Sequence, residues 1–284
     1  MLLEQRMPPF EGVAAGNQAL LKLPIGRRFH HLFLKYSGVT LAQMTEIRIL
    51  ANGKVFQRFS GTQRDKMNQF VGLAAANGIL QIPFERMGLK NRDQQEATAI
   101  NTNVFDKNGR AIKSLQVEID IHPDATAPSL EMRATQSAPV AGGPGIMLNI
   151  MKASRNIAGQ GELEVSDYTY GTIPTMALNR AYFIPSANQI NKVTVERELY
   201  NIWERDTALN EWVQNNSDAG RNPVSGWWVL DTTERGYGAN QIGLAQIGEN
   251  GRIASKVQDF RIKFDCSGAM TVDGILEYTG LLGD

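Results

Sequence analysis

The strongest constraint on this chain is a period of two that occurs twice. Leu115-Gln-Val117-Glu-Ile119-Asp-Ile121 alternates apolar and polar residues without a fault, and Phe260-Arg-Ile262-Lys-Phe264 does the same near the C-terminus. Successive side chains of an extended strand point to opposite faces, so both segments read as strands with one buried and one wet face. Ile47 to Phe59 holds two further such runs around Asn52-Gly53, a pair that accepts the positive φ angles of a tight hairpin turn. Further hairpins are expected around Lys107-Asn108-Gly109 and Glu249-Asn250-Gly251. Helical spacing is rare. Met67, Phe70 and Val71 share one face of a short helix with Ser60 or Thr62 as cap, and Leu209, Trp212 and Val213 repeat the pattern. The class is all-β.

The two halves run in the same order. Leu32-Phe-Leu34, Ile47-Arg-Ile49, the Met67–Val71 helix and Val117-Glu-Ile119 are echoed by Tyr182-Phe-Ile184, Val193-Thr-Val195, the Leu209–Val213 helix and Phe260-Arg-Ile262. Between them, Ser137-Ala-Pro-Val-Ala-Gly-Gly-Pro-Gly145 is too rich in Pro and Gly for a strand or helix interior and reads as a linker. A duplicated β-domain follows: an extended N-terminal arm over 1–15, a first domain over 16–140 and a second over 141–284.

Composition narrows the function. Lys and Arg number 29 and Asp and Glu 29, so the net charge is zero, without the basic excess of a nucleic-acid or lipid coat. Cys266 is the single cysteine, which excludes an intramolecular disulfide and a cysteine-based zinc site and suits maturation in a reducing compartment. The N-terminus lacks a secretory pattern, and the longest apolar region, Phe70–Phe84, is broken by Gly72, Asn77, Gly78, Gln81 and Pro83.

The search for chemistry is sparse. His30 and His31 are adjacent, and neighbours on a strand face opposite sides, so they are not expected to share a metal; His122 stands apart. There is no nucleophile elbow, and Cys266 reads as a small buried side chain. Glu162/Glu164 and Glu196/Glu198 are carboxylate pairs expected on one strand face. With Asp231/Glu234 and the Glu162–Asp167 group, they are the places to look for a bound cation. Trp227-Trp228 is expected to put one ring in the core and the other in a subunit interface or a sugar site. Lys22, Arg27, Arg28 and His30 form the densest basic cluster, Gly236, Gly238 and Gly243 lack phosphate-loop spacing, and Asn215-Asn-Ser217 matches a glycosylation acceptor by letter only. No catalytic and no cofactor-binding residue emerges, and the metal ligands are undetermined.

Val13-Ala-Ala-Gly-Asn17, Leu23-Pro-Ile-Gly26 and Tyr36-Ser-Gly-Val-Thr40 resemble the major capsid proteins of corticoviruses, tailless icosahedral phages with a membrane beneath the shell. The likeness continues through Phe59–Val71, Glu162–Asp167, Trp203-Glu-Arg-Asp206, Arg261–Asp265 and Leu276-Glu-Tyr-Thr-Gly280. It implies a double jelly roll, two eight-stranded rolls in one chain. It also implies homotrimers of pseudo-hexagonal outline that tile a shell, a virion location after assembly in the bacterial cytoplasm, and structural calcium. The implied partners are neighbouring trimers, a penton or vertex protein and internal membrane proteins. Met1 to Gly12, with Pro8-Pro9 and the apolar Leu2, Leu3 and Phe10, is expected to lie under such a shell and to bridge to an adjacent trimer or to the membrane surface. The alternative is a double jelly-roll carbohydrate-binding protein or glycan-active hydrolase.

Overall fold

The computed structural model describes residues 1–166, 177–247 and 253–281. The chain divides into two compact units, Met1–Met87 with Asn91–Met151, and Gly88–Lys90 with Lys152–Asp284.

In the first unit eight strands form the two sheets of a roll. They are β1 (Leu3–Arg6), β2 (Gln18–Leu23), β3 (Arg28–Ser37), β4 (Met44–Ala51), β5 (Lys54–Phe59), β6 (Ile79–Pro83), β7 (Leu115–Ile121) and β8 (Ser129–Ser137). One sheet has the order β1-β8-β3-β6 and the other β2-β7-β4-β5. The two-residue strand Ile100–Asn101 pairs beside the start of β3. Consecutive strands alternate between sheets, except for the β4–β5 hairpin, and this is jelly-roll connectivity. The alternation of β7 translates directly into burial, with Leu115, Val117, Ile119 and Ile121 inside. Phe29, Leu32 and Leu34 of β3, in the other sheet, are fully buried as well, as a core between two sheet faces requires. Asn52 and Gly53 both have positive φ, 51° and 77°, as the hairpin reading requires.

A helix, α1 (Gly61–Phe70), joins β5 to β6. Ser60 is its cap: its hydroxyl accepts from Gln63 N while Gln63 Oε1 accepts from Ser60 N. Gly61 is required, because a Cβ there would lie 2.6 Å from the Leu41 carbonyl oxygen. Met67 and Phe70 are fully buried.

The second half of the chain repeats the scheme, its first strand beginning in the last residues of the first unit. Its strands are β9 (Ile146–Ile157), β10 (Gly161–Val165), β11 (Ala177–Pro185), β12 (Ile190–Arg197), β13 (Tyr200–Asp206), β14 (Trp228–Asp231), β15 (Phe260–Cys266) and β16 (Met270–Leu281). The sheet orders, β9-β16-β11-β14 and β10-β15-β12-β13, are those of the first unit with eight added to each number. The helix α2 (Thr207–Asn215) stands where α1 does, between the fifth and sixth strands, capped by Asp206. Phe183 of β11 meets Phe264 of β15 edge to face at 4.8 Å, joining the two sheets.

Several expectations change. The N-terminal arm is not free: Leu3–Arg6 is the first roll strand, paired antiparallel with β8 from Leu3↔Gln136 to Arg6↔Arg133, and Met7 is buried behind it. Lys107–Gly109 forms a turn tied by Asp106, which accepts from Asn108 N and Arg110 N, but no paired strands flank it. Glu249–Gly251 lies outside the described residues, although Ala245–Ile247 and Ile253–Lys256 on either side pair antiparallel. The Pro/Gly linker separates β8 from β9 and is pinned by Asn101, whose Nδ2 donates to the carbonyls of Val140 and Gly143.

Candidate functional site

His30 and His31 depart from the strand rule. The β3–β8 register shifts between Phe29 and His31, and this bulge turns both imidazoles toward one carboxylate. Glu85 Oε1 is 2.6 Å from His30 Nδ1, and its Oε2 is 3.5 Å from His31 Nε2. His30 Nε2 reaches Ser137 Oγ at 2.8 Å. Burial alone would push the Glu85 carboxyl up, but hydrogen bonds from both histidines and the charges of His31 and Arg92 hold it down at about 2. His30, Glu85 and Glu96 bring three metal-ligating atoms within 4.8 Å of one another. Arg92 already supplies positive charge there: its Nη2 is 3.7 Å from Glu85 and its Nε bonds Glu96. The cluster is internally compensated and has no need of an added cation.

The acids marked for a cation are answered in the same way. Lys263 of β15 sits 2.7 Å from Glu196 and 3.9 Å from each of Glu162 and Glu164, and Arg261 meets Glu164 at 3.0 Å. Glu198 does not share the Glu196 face, because β12 ends at Arg197 and Glu198 turns with φ 51°. Asp231 lies between Arg180 at 3.2 Å and Arg221 at 2.5 Å, and Glu234 pairs with Arg205 at 2.6 Å. Asp167 is outside the described residues. Glu162, Glu164, Glu196, Asp231 and Glu234 each lie beside a protein cation, so the charge of these five is compensated within the chain.

The other candidates are structural. Cys266 is buried, and burial with the nearby Asp265 charge pushes its thiol up to about 11, far from a reactive thiolate. Trp228 is buried against Phe183 and, edge to face at 5.3 Å, Trp203; Trp227 is half-buried with its ring 6.0 Å from Tyr182. The basic cluster splits. His30 faces inward, Arg28 Nη2 bonds the Glu96 carbonyl, and Lys22 and Arg27 are exposed.

The surface that sequence reasoning missed is apolar and belongs to the second unit. In α2 the residues turned inward are Asn210 and Gln214, both donating to the Val229 carbonyl, while Leu209 is 47% and Trp212 64% exposed. The face that α1 buries is therefore outside in α2. On the preceding strand Tyr200 and Ile202 are exposed, and at its tip Leu199 is 82% exposed with a left-handed φ of 69°. The Glu198-Leu199 turn has the positive φ pair of a tight hairpin without the Asn or Gly that would announce it. The only available signal was the apolar run of Leu199, Tyr200 and Ile202 beside a turn.

Residues 4–137 match the family described as viral coat protein P2 N-terminal domain, and residues 147–282 match the viral coat protein P2 C-terminal domain. The major capsid protein P2 of Pseudoalteromonas phage PM2 is 24% identical over 277 residues, 95% of this chain and 93% of that protein. The crystal structure of the bacteriophage PM2 protein superposes with a TM-score of 0.86 at 20% identity, covering 100% of this chain and 98% of that one. An atomic structure of Sulfolobus Turreted Icosahedral Virus matches with a TM-score of 0.66 at 10% identity, over 99% and 91% of the two chains. A chain of the PBCV-1 virus capsid matches at 0.61 and 7% identity, over 98% and 93%.

Two complete rolls of identical connectivity, shared end to end with such structures, define the double jelly-roll fold. Both halves carry matches to the same coat protein. The chain belongs to the viral coat protein P2 family, and its role is structural, which sets aside the glycan-active alternative.

Proposed function

We propose that this chain works by assembly and not by turnover, as a subunit whose homotrimers tile an icosahedral phage shell around an internal membrane. The observation that carries this reading is the duplication: three copies supply six rolls of one connectivity, enough for a pseudo-hexagonal tile. The linker between β8 and β9 supports a roll boundary there, with residues 16–140 and 141–284 forming the two rolls and β1, from the 1–15 segment, added to the first sheet. Partners are neighbouring trimers, a vertex protein and the membrane proteins of the virion, with assembly in the bacterial cytoplasm. No reaction is assigned: the buried His30 and Glu85, and the buried Arg180, Asp231 and Arg221, are paired with one another in ion clusters.

Light scattering tests this reading. The solution mass is expected near three times the 31.4 kDa of one chain. Because the described acids pair with arginines and lysines, adding a chelator is expected to leave that mass unchanged. A monomer under all conditions contradicts the reading, and chelator-induced dissociation contradicts the absence of a cation requirement.

A further inference from the structure

We propose that the β13–α2 face of the second unit docks on the basic β2–β3 turn of the first unit of a second copy of this chain, a heterologous contact steered by opposite charge. This rests on the capsid reading and names the two surfaces that would meet within it.

Neutrality of the whole chain hides an uneven distribution. The first unit carries 16 Lys and Arg against 12 Asp and Glu, net +4, and the second carries 13 against 17, net −4. A chain with opposite charge on its two bodies repels like bodies and attracts unlike ones, which favours a head-to-tail contact over a self-complementary one. A head-to-tail contact closes into a ring when its rotation allows.

The exposed side chains follow the same division. On β13 and α2, the apolar Ile202, Leu209 and Trp212 stand among exposed Glu204, Asp206 and Glu211. These elements are consecutive and pack together, and among the described residues β13 is a terminal strand of its sheet, paired with β12 on one side. An open edge beside a half-exposed tryptophan marks an interaction surface and is a liability in a solitary monomer. The strained turn at Glu198-Leu199 holds an apolar side chain outward at the end of the same strand, a backbone cost that persists where a contact uses it.

The complement lies on the first unit. Pro24 and Ile25 are exposed at the turn between β2 and β3, flanked by exposed Lys22 and Arg27. Neither base has a carboxylate partner among the described residues, and β2 is a terminal strand of its sheet. The two surfaces are thus alike in shape class, an apolar centre on a sheet edge, and opposite in rim charge. A tryptophan at the centre and charges at the rim is the division of labour that gives affinity and orientation respectively.

The test uses the full chain and light scattering as a function of concentration, with circular dichroism melts to confirm folding. Glu204→Lys with Glu211→Lys, and separately Lys22→Glu with Arg27→Glu, are each expected to weaken association at least about tenfold at low salt. All four changes in one chain restore opposite rims and are expected to recover association. Trp212→Ala weakens it irrespective of salt, whereas wild-type association weakens as salt rises from about 50 to 500 mM. Wild-type protein that is monomeric throughout overturns the capsid reading and this inference together. Wild-type trimers that survive both reversals unchanged overturn this docking alone.

Discussion

Asp231→Ala is expected to destabilise the second unit by about 3–5 kcal/mol, a large share of the 5–15 kcal/mol typical of a folded domain. Asp231 is fully buried, with Arg221 Nε at 2.5 Å and Arg180 Nε at 3.2 Å, and its Oδ1 also accepts from the Thr233 amide and hydroxyl, both at 2.8 Å. Burial pushes its carboxyl up, but the two guanidiniums outweigh this and hold it below the usual carboxylate range. Among the described residues Glu277, 3.3 Å from Arg180, remains as the other acid of the network, so truncation of Asp231 removes one of the two anions that face the two buried cations. The carbonyls of Gly88, Ala219 and Thr233 still accept from Arg221 but carry no full charge. Urea unfolding measures the loss. Asp218→Ala is the control, because its pair with Lys90 is 3.5 Å long and 71% exposed on the acid side, and its removal is expected to cost under about 1 kcal/mol. Equal losses for the two variants would contradict this account of the buried network.

Acid should loosen the first unit through Glu85. Its carboxyl lies at about 2 against an ordinary 4.5, a lowering that corresponds to about 3 kcal/mol. The folded protein holds the charged form more tightly than the unfolded chain does. That stability is present in full above about pH 4.5 and is lost as pH falls toward 2. Glu85→Gln keeps the shape and removes the charge. The variant is expected to be weaker at pH 7 and to approach the wild type near pH 2, with an acid loss smaller by about 3 kcal/mol. Urea midpoints at pH 7, 4 and 2.5 for both proteins give the comparison. Parallel acid profiles would show that the histidine–glutamate cluster is not what holds this region at neutral pH.

The rolls were legible because their information is local. Alternation in β7 and β15 placed the buried faces, Asn52-Gly53 set one hairpin, and the common order of elements exposed the duplication before any strand pairing was known. Pairing partners were not legible. β1 is four residues with no buried apolar face, and only its ladder with β8 makes it a roll strand, so it read as an arm. The histidine pair misled for a related reason: a bulge adds a residue to one strand and resets the alternation, and nothing in the composition of β3 announces it. The helix α2 misled most usefully. Its apolar spacing equals that of α1, yet spacing cannot say which face meets the core. Asn210 and Gln214 took that place because Val229 offered a carbonyl for both amides. The pairing of the acids was not legible either: Glu196, Asp231 and Glu234 each meet an arginine or lysine from a different element, a match that exists only after folding.

Whether this chain builds a shell from trimers of double rolls is decided by imaging the purified oligomer in projection by electron microscopy. Six-lobed particles with threefold symmetry are the predicted result. Particles with two lobes, one copy of the chain each carrying its two rolls and no further association, would contradict such assembly.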